Sequence, residues 1–285
     1  DGYWSRGLGD VYKRQEVYER SVRLASAIKN AGVKSGEVVT IMAPNIPEMF
    51  EAHFGVAMAG AVLNTLNTRL DTDTIAYILE HADTRLLITD AAFGEAMKTA
   101  LAQTKNKKIK IIDIIDQQAS ESVSGLRLGE QDYETFLNGA DPDYKWQMPA
   151  DEWQAMCLNY TSGTSGRPKG VVYHHRGAYL MAMGTIPVWN MPMHPTYLYV
   201  VPLFHCNGWG HAWMMAIVAG TTICCRKIIA EDIYPLITDH KVTHFGGAPI
   251  VLSMLVNAPD DVIKKPEHTV NIMTAGAPPP AAILE

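Results

Sequence analysis

The sequence predicts an α/β fold of mainly parallel sheets flanked by helices. From Val17 onward, helical apolar stripes alternate with short β-branched runs such as Val38–Met42 and Leu86–Ile88. Strands separated by helices imply right-handed crossovers and parallel pairing. The chain is also long and apolar enough to bury a sizeable core, with 285 residues, 47% hydrophobic and 19% charged. That length corresponds to about two domains.

Taken in order, the first fifteen residues, Asp1–Gln15, lack hydrophobic periodicity and scatter Trp4, Arg6, Lys13 and Arg14 among glycines. They read as a non-native linker and are set apart from residues 16–285. Val17, Val22, Leu24, Ala25 and Ile28 then form a helical stripe ended by Gly32. Val38–Met42 is a buried strand closed by Pro44-Asn45. Ile46–Ala59 is helical and Ala61–Leu63 is a strand. Thr74–Ala82 is a helix, and Leu86–Ile88 a strand stopped at Asp90. Phe93–Ala102 is helical and Ile109–Ile115 a strand.

Residues 117–151 are polar and read as a loose insertion with a short helix at Tyr133–Leu137. Strands before and after residues 160–170 make a hairpin, followed by a helix over Gly177–Met183 and strands at Leu198–Val201 and Thr221–Cys225. Asn207–Val218 between them is expected to be helical, as are Asp232–Asp239 and Pro249–Asn257. Val242–Phe245 and Val270–Met273 are the last strands.

The hairpin tip carries the chemistry. Tyr160-Thr161-Ser162-Gly163-Thr164-Ser165-Gly166-Arg167-Pro168-Lys169-Gly170 packs four small hydroxyl side chains, three glycines and two cations into eleven residues. Glycines let successive N–H groups point into one concavity, and Lys169 adds a compact cation. Such a loop suits a polyphosphate. A flexible surface turn would have the same composition, but Ala155–Leu158 and Val171–Tyr173 bracket this one with apolar runs. The P-loop spacing fails, because Pro168 stands where its second glycine belongs and Gly170 follows Lys169. The dinucleotide pattern Gly-x-Gly-x-x-Gly fails as well, and a nucleophile elbow fails at Arg167.

This stretch resembles the signature loop of the adenylate-forming superfamily of acyl-CoA synthetases, luciferases and adenylation domains. The family pattern is matched except at Ser165, which replaces a threonine and keeps the hydroxyl. Further resemblances lie at Ala59–Leu70, Pro202–Gly210, Gly246–Pro249 and Ala275–Pro278. The runs Asn64–Asp71 and Cys206–Trp213 are most similar to short- and medium-chain ligases and plant acyl-activating enzymes, a group that includes 3-methylmercaptopropionate ligases.

The resemblance implies that ATP and a carboxylic acid give an acyl-adenylate and pyrophosphate, and that coenzyme A then displaces AMP. Thr161, Ser162, Gly163, Thr164, Ser165, Gly166 and Lys169 would bind the nucleotide, with Gly276, Ala277 and Pro278 around the adenylate. Lys169 and His205 are the expected catalytic residues. His205, Trp209 and Gly247 would contact the acyl substrate, and Thr161 would help hold Mg²⁺. Amino-acid-activating relatives carry Asp where His205 stands, which counts against an amino-acid substrate. On this resemblance, residues 16–285 are part of the large AMP-binding N-terminal domain. The adenine-stacking, ribose and C-terminal lysine segments are expected beyond Glu285, and this segment alone is expected to be inactive. The alternatives are a non-catalytic nucleotide-binding fragment or an adenylate-forming enzyme with another acyl acceptor.

Other side chains allow more than one reading. His205 beside an apolar run is also what a satisfied core histidine looks like. His205, Cys206, His211, Cys224 and Cys225 invite a zinc site, yet no spacing matches a finger or ribbon. Trp209, Trp213, Met214 and Met215 could line an acyl tunnel or fill a helix core. His174-His175 read as strand-end residues and Arg167 as a solvated charge. A formal charge of −6 argues against nucleic acid as a partner. Four cysteines without a secreted framework fit a reducing cytoplasm. The longest apolar stretch, around Ala212–Cys225, is too short and too polar to span a bilayer.

Overall fold

The computed structural model describes residues 3–5, 11–161, 166–278 and 280. The leading residues supply two short strands, β1 (Tyr3–Ser5) and β2 (Val11–Lys13), and run into helix α1 (Arg14–Asn30). The predicted stripe of α1 is buried at Val22, Leu24, Ala25 and Ile28. Gly32, at φ +87°, turns the chain into β3 (Val38–Met42). Helix α2 (Pro47–Met58) opens on Pro47, whose ring presets the first helical φ. It crosses α1 closely at Gly55, where a Cβ would lie 2.7 Å from Leu24 Cδ2.

The alternation continues through β4 (Val62–Thr65), α3 (Thr72–His81), β5 (Thr84–Asp90), α4 (Gly94–Gln103) and β6 (Lys110–Ile114). Asp71 caps α3 by accepting from the Thr74 amide at 2.8 Å. Residues 117–151 are more ordered than their polarity suggests, with α5 (Ser120–Val123), β7 (Gln131–Asp132) and α6 (Tyr133–Asn138). The buried Asp113 carboxylate accepts from the Leu128 and Gly129 amides, at 2.9 and 2.8 Å. Arg20 on α1 joins Glu51 on α2 to Glu134 on α6, and Tyr133 donates to Glu51 at 2.9 Å.

The hairpin strands are β8 (Ala155–Thr161) and β9 (Lys169–His174), followed by α7 (His175–Val188). Its cap is the His174 ring, which accepts from the Gly177 amide at 2.9 Å, so the helix starts earlier than hydropathy predicts. Then come β10 (Thr196–Tyr199), a one-turn segment α8 (Cys206–Trp209), α9 (His211–Ile217), β11 (Thr221–Cys224), α10 (Ala230–Asp239), β12 (His244–Gly246), α11 (Pro249–Val256) and β13 (Asn271–Met273).

These strands make two sheets, not one. The seven-stranded sheet has the order β7-β6-β5-β3-β4-β8-β9, and the six-stranded sheet β13-β12-β10-β11-β1-β2. The described pairings are parallel except β8–β9 and β1–β2. One core serves both sheets: Val39, Ile41 and Leu63 of the first are packed with Tyr197 and Tyr199 of the second.

Asn45, at the exit of β3, docks one sheet on the other. Its buried amide donates to the carbonyls of Tyr199 (2.9 Å) and Val201 (3.0 Å), and its oxygen accepts from the Leu203 amide at 2.8 Å. Leaving buried backbone groups unpaired costs about 1–3 kcal/mol each. We predict that Asn45→Ala in the whole protein lowers unfolding free energy by about 3 kcal/mol or more, read by denaturant melts. A loss under about 1 kcal/mol would mean that water replaces the amide.

Candidate functional site

The signature hairpin is an antiparallel pair with one register shift between Ala155 and Cys157, and Thr161 at the end of β8 faces Lys169 at the start of β9. Both side chains are exposed at its open end. Ser162, Gly163, Thr164 and Ser165 lie outside the described residues. Gly166 has φ +90°, a conformation that glycine adopts without strain. Helix α3 braces the hairpin from behind. His81 Nδ1 lies 2.7 Å from the Tyr160 hydroxyl, and Tyr77 donates to the Pro168 carbonyl at 3.4 Å. The Arg167 guanidinium, read from sequence as solvated, rests 5.8 Å from the centre of the Tyr77 ring.

The second component is the segment that leaves β10. Residues Cys206, Asn207, Gly208, Trp209 and Gly210 all have positive φ, between 43° and 70°. The helix expected over Asn207–Val218 therefore begins only at His211, preceded by one left-handed turn. For a non-glycine residue this conformation costs roughly 1–2 kcal/mol, so the surroundings must impose it. Asn207 is fully buried and its side chain bonds to those of Asn159 and His53. Gly208 is also required by space, since a Cβ there would lie 2.9 Å from Tyr199 Cε1. At Gly210 a Cβ would meet only the flexible end of Met181, and φ +70° is what asks for glycine.

The turn borders a cleft of about 560 Å³ lined by Tyr173 of β9, Met181 and Val188 of α7, Cys206, Trp209, His211, Met273 at the end of β13 and Ala275 beyond it. Trp209 lies against Gly246, where a Cβ would be 3.2 Å from its ring. Gly247 does not line the cleft; it is buried and its amide donates to the Met273 carbonyl at 2.9 Å. His205 is exposed beside the turn, with Nε2 3.7 Å from Cys206 Sγ. Gly276, Ala277 and Pro278 continue from Ala275 as an exposed segment, Gly276 with φ +93°. Trp213, Met214 and Met215 are buried core side chains, leaving Trp209 as the cleft member of that group.

The structure adds residues that sequence reasoning did not single out. Tyr173 lines the cleft, and burial, followed by the Cys206 thiol beside it, pushes its phenol up to about 12. His211, weighed above only as a zinc ligand, forms the cleft floor, and its Nδ1 lies 2.7 Å from the Tyr197 hydroxyl. Burial raises the Tyr197 phenol far above its ordinary range, so the hydroxyl beside His211 stays neutral. Burial lowers His211 to about 4. His53 is likewise lowered to about 4 by burial, although the Met49 and Leu203 carbonyls oppose the shift. Cys224 and Cys225 lie on β11 and just after it, and the described residues hold no group of three or more His, Cys, Asp or Glu placed to grip a metal. No helix among them is long and apolar enough to cross a membrane.

A glycine- and hydroxyl-rich hairpin beside a cleft at the carboxyl ends of β10, β12 and β13 lies where open α/β sheets place their ligand crevices. The chain belongs to the AMP-binding enzyme family, which it matches over residues 10–285. It is 46% identical over 282 residues to the peroxisomal acetate/butyrate–CoA ligase of Arabidopsis thaliana, covering 96% of this chain and 50% of that protein. It is 45% identical over 278 residues to the 2-methylpropanoate–CoA ligase of Humulus lupulus, covering 96% and 49%. The fold matches the benzoate CoA ligase of Burkholderia xenovorans LB400 with a TM-score of 0.83 at 22% identity, covering 99% of this chain and 54% of that one. The chain thus spans about half the length of the curated relatives it matches.

Two buried neutral histidines give the site an acid limit. The unfolded chain protonates them near their ordinary value and the folded chain only near 4, so the unfolded state binds more protons in between. Stability should therefore be intact above about pH 6.5 and fall as pH drops toward 4, by on the order of 3 kcal/mol per histidine at the full extent. Denaturant melts at pH 7 and pH 5 check this. His53→Gln and His211→Gln should each flatten the difference; an unchanged slope would mean that neither ring is neutral in the fold.

Proposed function

We propose that the whole protein is an ATP-dependent acid–thiol ligase that activates a short- or medium-chain carboxylic acid and transfers it to coenzyme A. The observation that carries this reading is the register of Thr161 and Lys169 across the signature hairpin beside an apolar cleft. The names of the relatives, acetate/butyrate– and 2-methylpropanoate–CoA ligase, favour the short end of that range. The other acyl acceptors considered above are disfavoured by the same names.

In this mechanism a carboxylate oxygen attacks the α-phosphorus of ATP, and the bond to pyrophosphate breaks. The thiol of coenzyme A then attacks the acyl carbon, losing its proton, and AMP leaves. A carboxylate is already nucleophilic, so the protein supplies position and countercharge. Lys169 would offset the charge growing on pyrophosphate, with backbone donors of residues 162–166 around it. Thr161, an exposed hydroxyl at the hairpin mouth, fits as one oxygen ligand of Mg²⁺, an ion that keeps several waters and binds substrate phosphates. Bound there, Mg²⁺ would neutralise phosphate charge.

His205 would orient the carboxylate at the cleft mouth, with Trp209 walling the acyl chain, Gly247 behind it, and Gly276, Ala277 and Pro278 against the adenylate. Cysteine usage favours a reducing compartment such as the cytoplasm, and one relative is named peroxisomal.

Exchange of labelled pyrophosphate into ATP should depend on added acetate, butyrate or 2-methylpropanoate. Exchange driven by amino acids alone would overturn the reading. Lys169→Ala should remove about 2–4 kcal/mol of transition-state stabilisation, which is about 30- to 1000-fold in rate. An unchanged rate would take Lys169 out of the mechanism.

A further inference from the structure

The left-handed turn at the cleft is held by a buried chain of side-chain hydrogen bonds with a fixed direction. Its far end is the His53 ring, which also has the Leu203 carbonyl as a partner. His53 Nδ1 lies 2.7 Å from the Met49 carbonyl, which can only accept, so Nδ1 carries the proton. In the neutral ring Nε2 is then an acceptor, and it receives the Asn207 amide N–H at 3.3 Å. That orientation turns the Asn207 oxygen toward Asn159, whose amide donates to it. The Asn159 oxygen in turn accepts from the Thr65 hydroxyl at 3.0 Å, which also lies 3.0 Å from the Phe204 carbonyl. Thr65, Asn159, Asn207 and His53 are all buried, between 0% and 5% exposed.

The two ends of this chain are not equally anchored. Asn159 sits in β8, which is laddered to β4 on one side and β9 on the other. Thr65 ends β4 and His53 is inside α2. The turn has no ladder, and its conformation at Cys206 and Trp209 is one that side chains resist. The amide chain is therefore the support and the turn is the supported part.

We propose that Asn207, oriented by His53 and Asn159, is the positioning residue of the acyl cleft. It locks Cys206 and Trp209 into the left-handed turn that shapes the acid's binding space, while the phosphate hairpin, held by its own ladder, does not depend on it. His53 neither lines the cleft nor touches the hairpin; it acts through Asn207. This inference rests on the acyl-activating reading for its kinetic arm only.

The test uses the full-length protein and two His53 variants. His53→Leu keeps the bulk and removes the acceptor for Asn207. His53→Gln places an amide oxygen near the position of Nε2 and restores it. Two readouts are taken: KM for acid and for ATP in pyrophosphate exchange, and alkylation of Cys206 by iodoacetamide, followed on its own peptide by mass spectrometry. Cys206 suits this because Cys157, Cys224 and Cys225 are buried.

His53→Leu should raise the acid KM by about tenfold or more, since a small misplacement of a binding surface is costly. It should leave the ATP KM within about twofold and speed Cys206 alkylation about fivefold. His53→Gln should keep all three within about twofold of wild type. A folded His53→Leu protein with unchanged acid KM and alkylation overturns the proposal, as does a rise in ATP KM matching that in acid KM. A His53→Gln protein as impaired as His53→Leu overturns it too. Should His53→Leu not fold, Asn207→Gly, which tolerates the left-handed φ and deletes only the amide, must give the same kinetic and alkylation changes. Wild type lacking acid-dependent exchange would sink the ligase reading, while the alkylation comparison would still decide whether the chain holds the turn.

Discussion

The docking of one sheet on the other through the Asn45 amide is the constraint on which the site depends. Asn45 leaves β3 of the seven-stranded sheet and takes up the backbone of Tyr199, Val201 and Leu203, where β10 of the six-stranded sheet ends. The cleft elements of the six-stranded sheet lie at carboxyl ends there: the turn after β10, and Met273 and Ala275 at and beyond the end of β13, with Gly246 at the end of β12 behind Trp209. Open α/β sheets expose ligand crevices at such ends. Fixing β10 against β3 brings that crevice beside β8 and β9, so the phosphate hairpin and the apolar cleft share one border at Tyr173.

An amide suits this place better than a charge. Asn45 is 4% exposed, and burying an ion there would cost several kcal/mol that pairing only partly offsets. The chain uses ions at a second link between the sheets, where each buried carboxylate has an arginine partner. Arg226, just after β11, donates to Asp90 at 2.8 Å and Asp116 at 3.1 Å, and meets Glu121 at 3.2 Å. Glu121 is held down to about 2, by its own backbone amide and then by Arg226 and Lys227. That clasp also links the two sheets: Asp90 and Asp116 are buried and paired with Arg226, while Glu121 is partly exposed and its bond weakens with salt. Geometry at the cleft is thus set by neutral, directional bonds.

The strands and helices were legible because their cause is local. Val38–Met42 and the stripe from Val22 to Ile28 carry their burial in their own composition, and the structure buries them accordingly. The hairpin was legible too, since glycine and hydroxyl spacing constrains chemistry directly. What escaped depends on distant partners. Residues 117–151 looked loose because the Asp113 carboxylate that anchors Leu128 and Gly129 leaves no trace in hydropathy. Asn207–Gly210 looked helical because nothing nearby in sequence announces that Asn159 and His53 bond to Asn207. Gly208 and Gly210 gave the available signal: two glycines flanking a tryptophan mark backbone that has to turn where a side chain cannot follow. His211 escaped for the opposite reason, since its neighbours suggested a metal while its partner is the Tyr197 hydroxyl.

The strain in that turn explains why the cleft is walled as it is. A right-handed helix through residues 206–210 would continue α9 backward and direct its side chains along the helix. The left-handed turn instead lays the Trp209 ring on Gly246, where a Cβ would crowd the ring at 3.2 Å. Cys206 comes to lie beside Tyr173, and Gly210 admits the Met181 side chain from α7. Bulky side chains thus converge on about 560 Å³ from β9, α7 and the turn together. Because the non-glycine members of the turn pay for their backbone conformation, the cleft wall is no stiffer than the amide chain behind it. The shape of the cleft is on this view set by buried groups that do not line it.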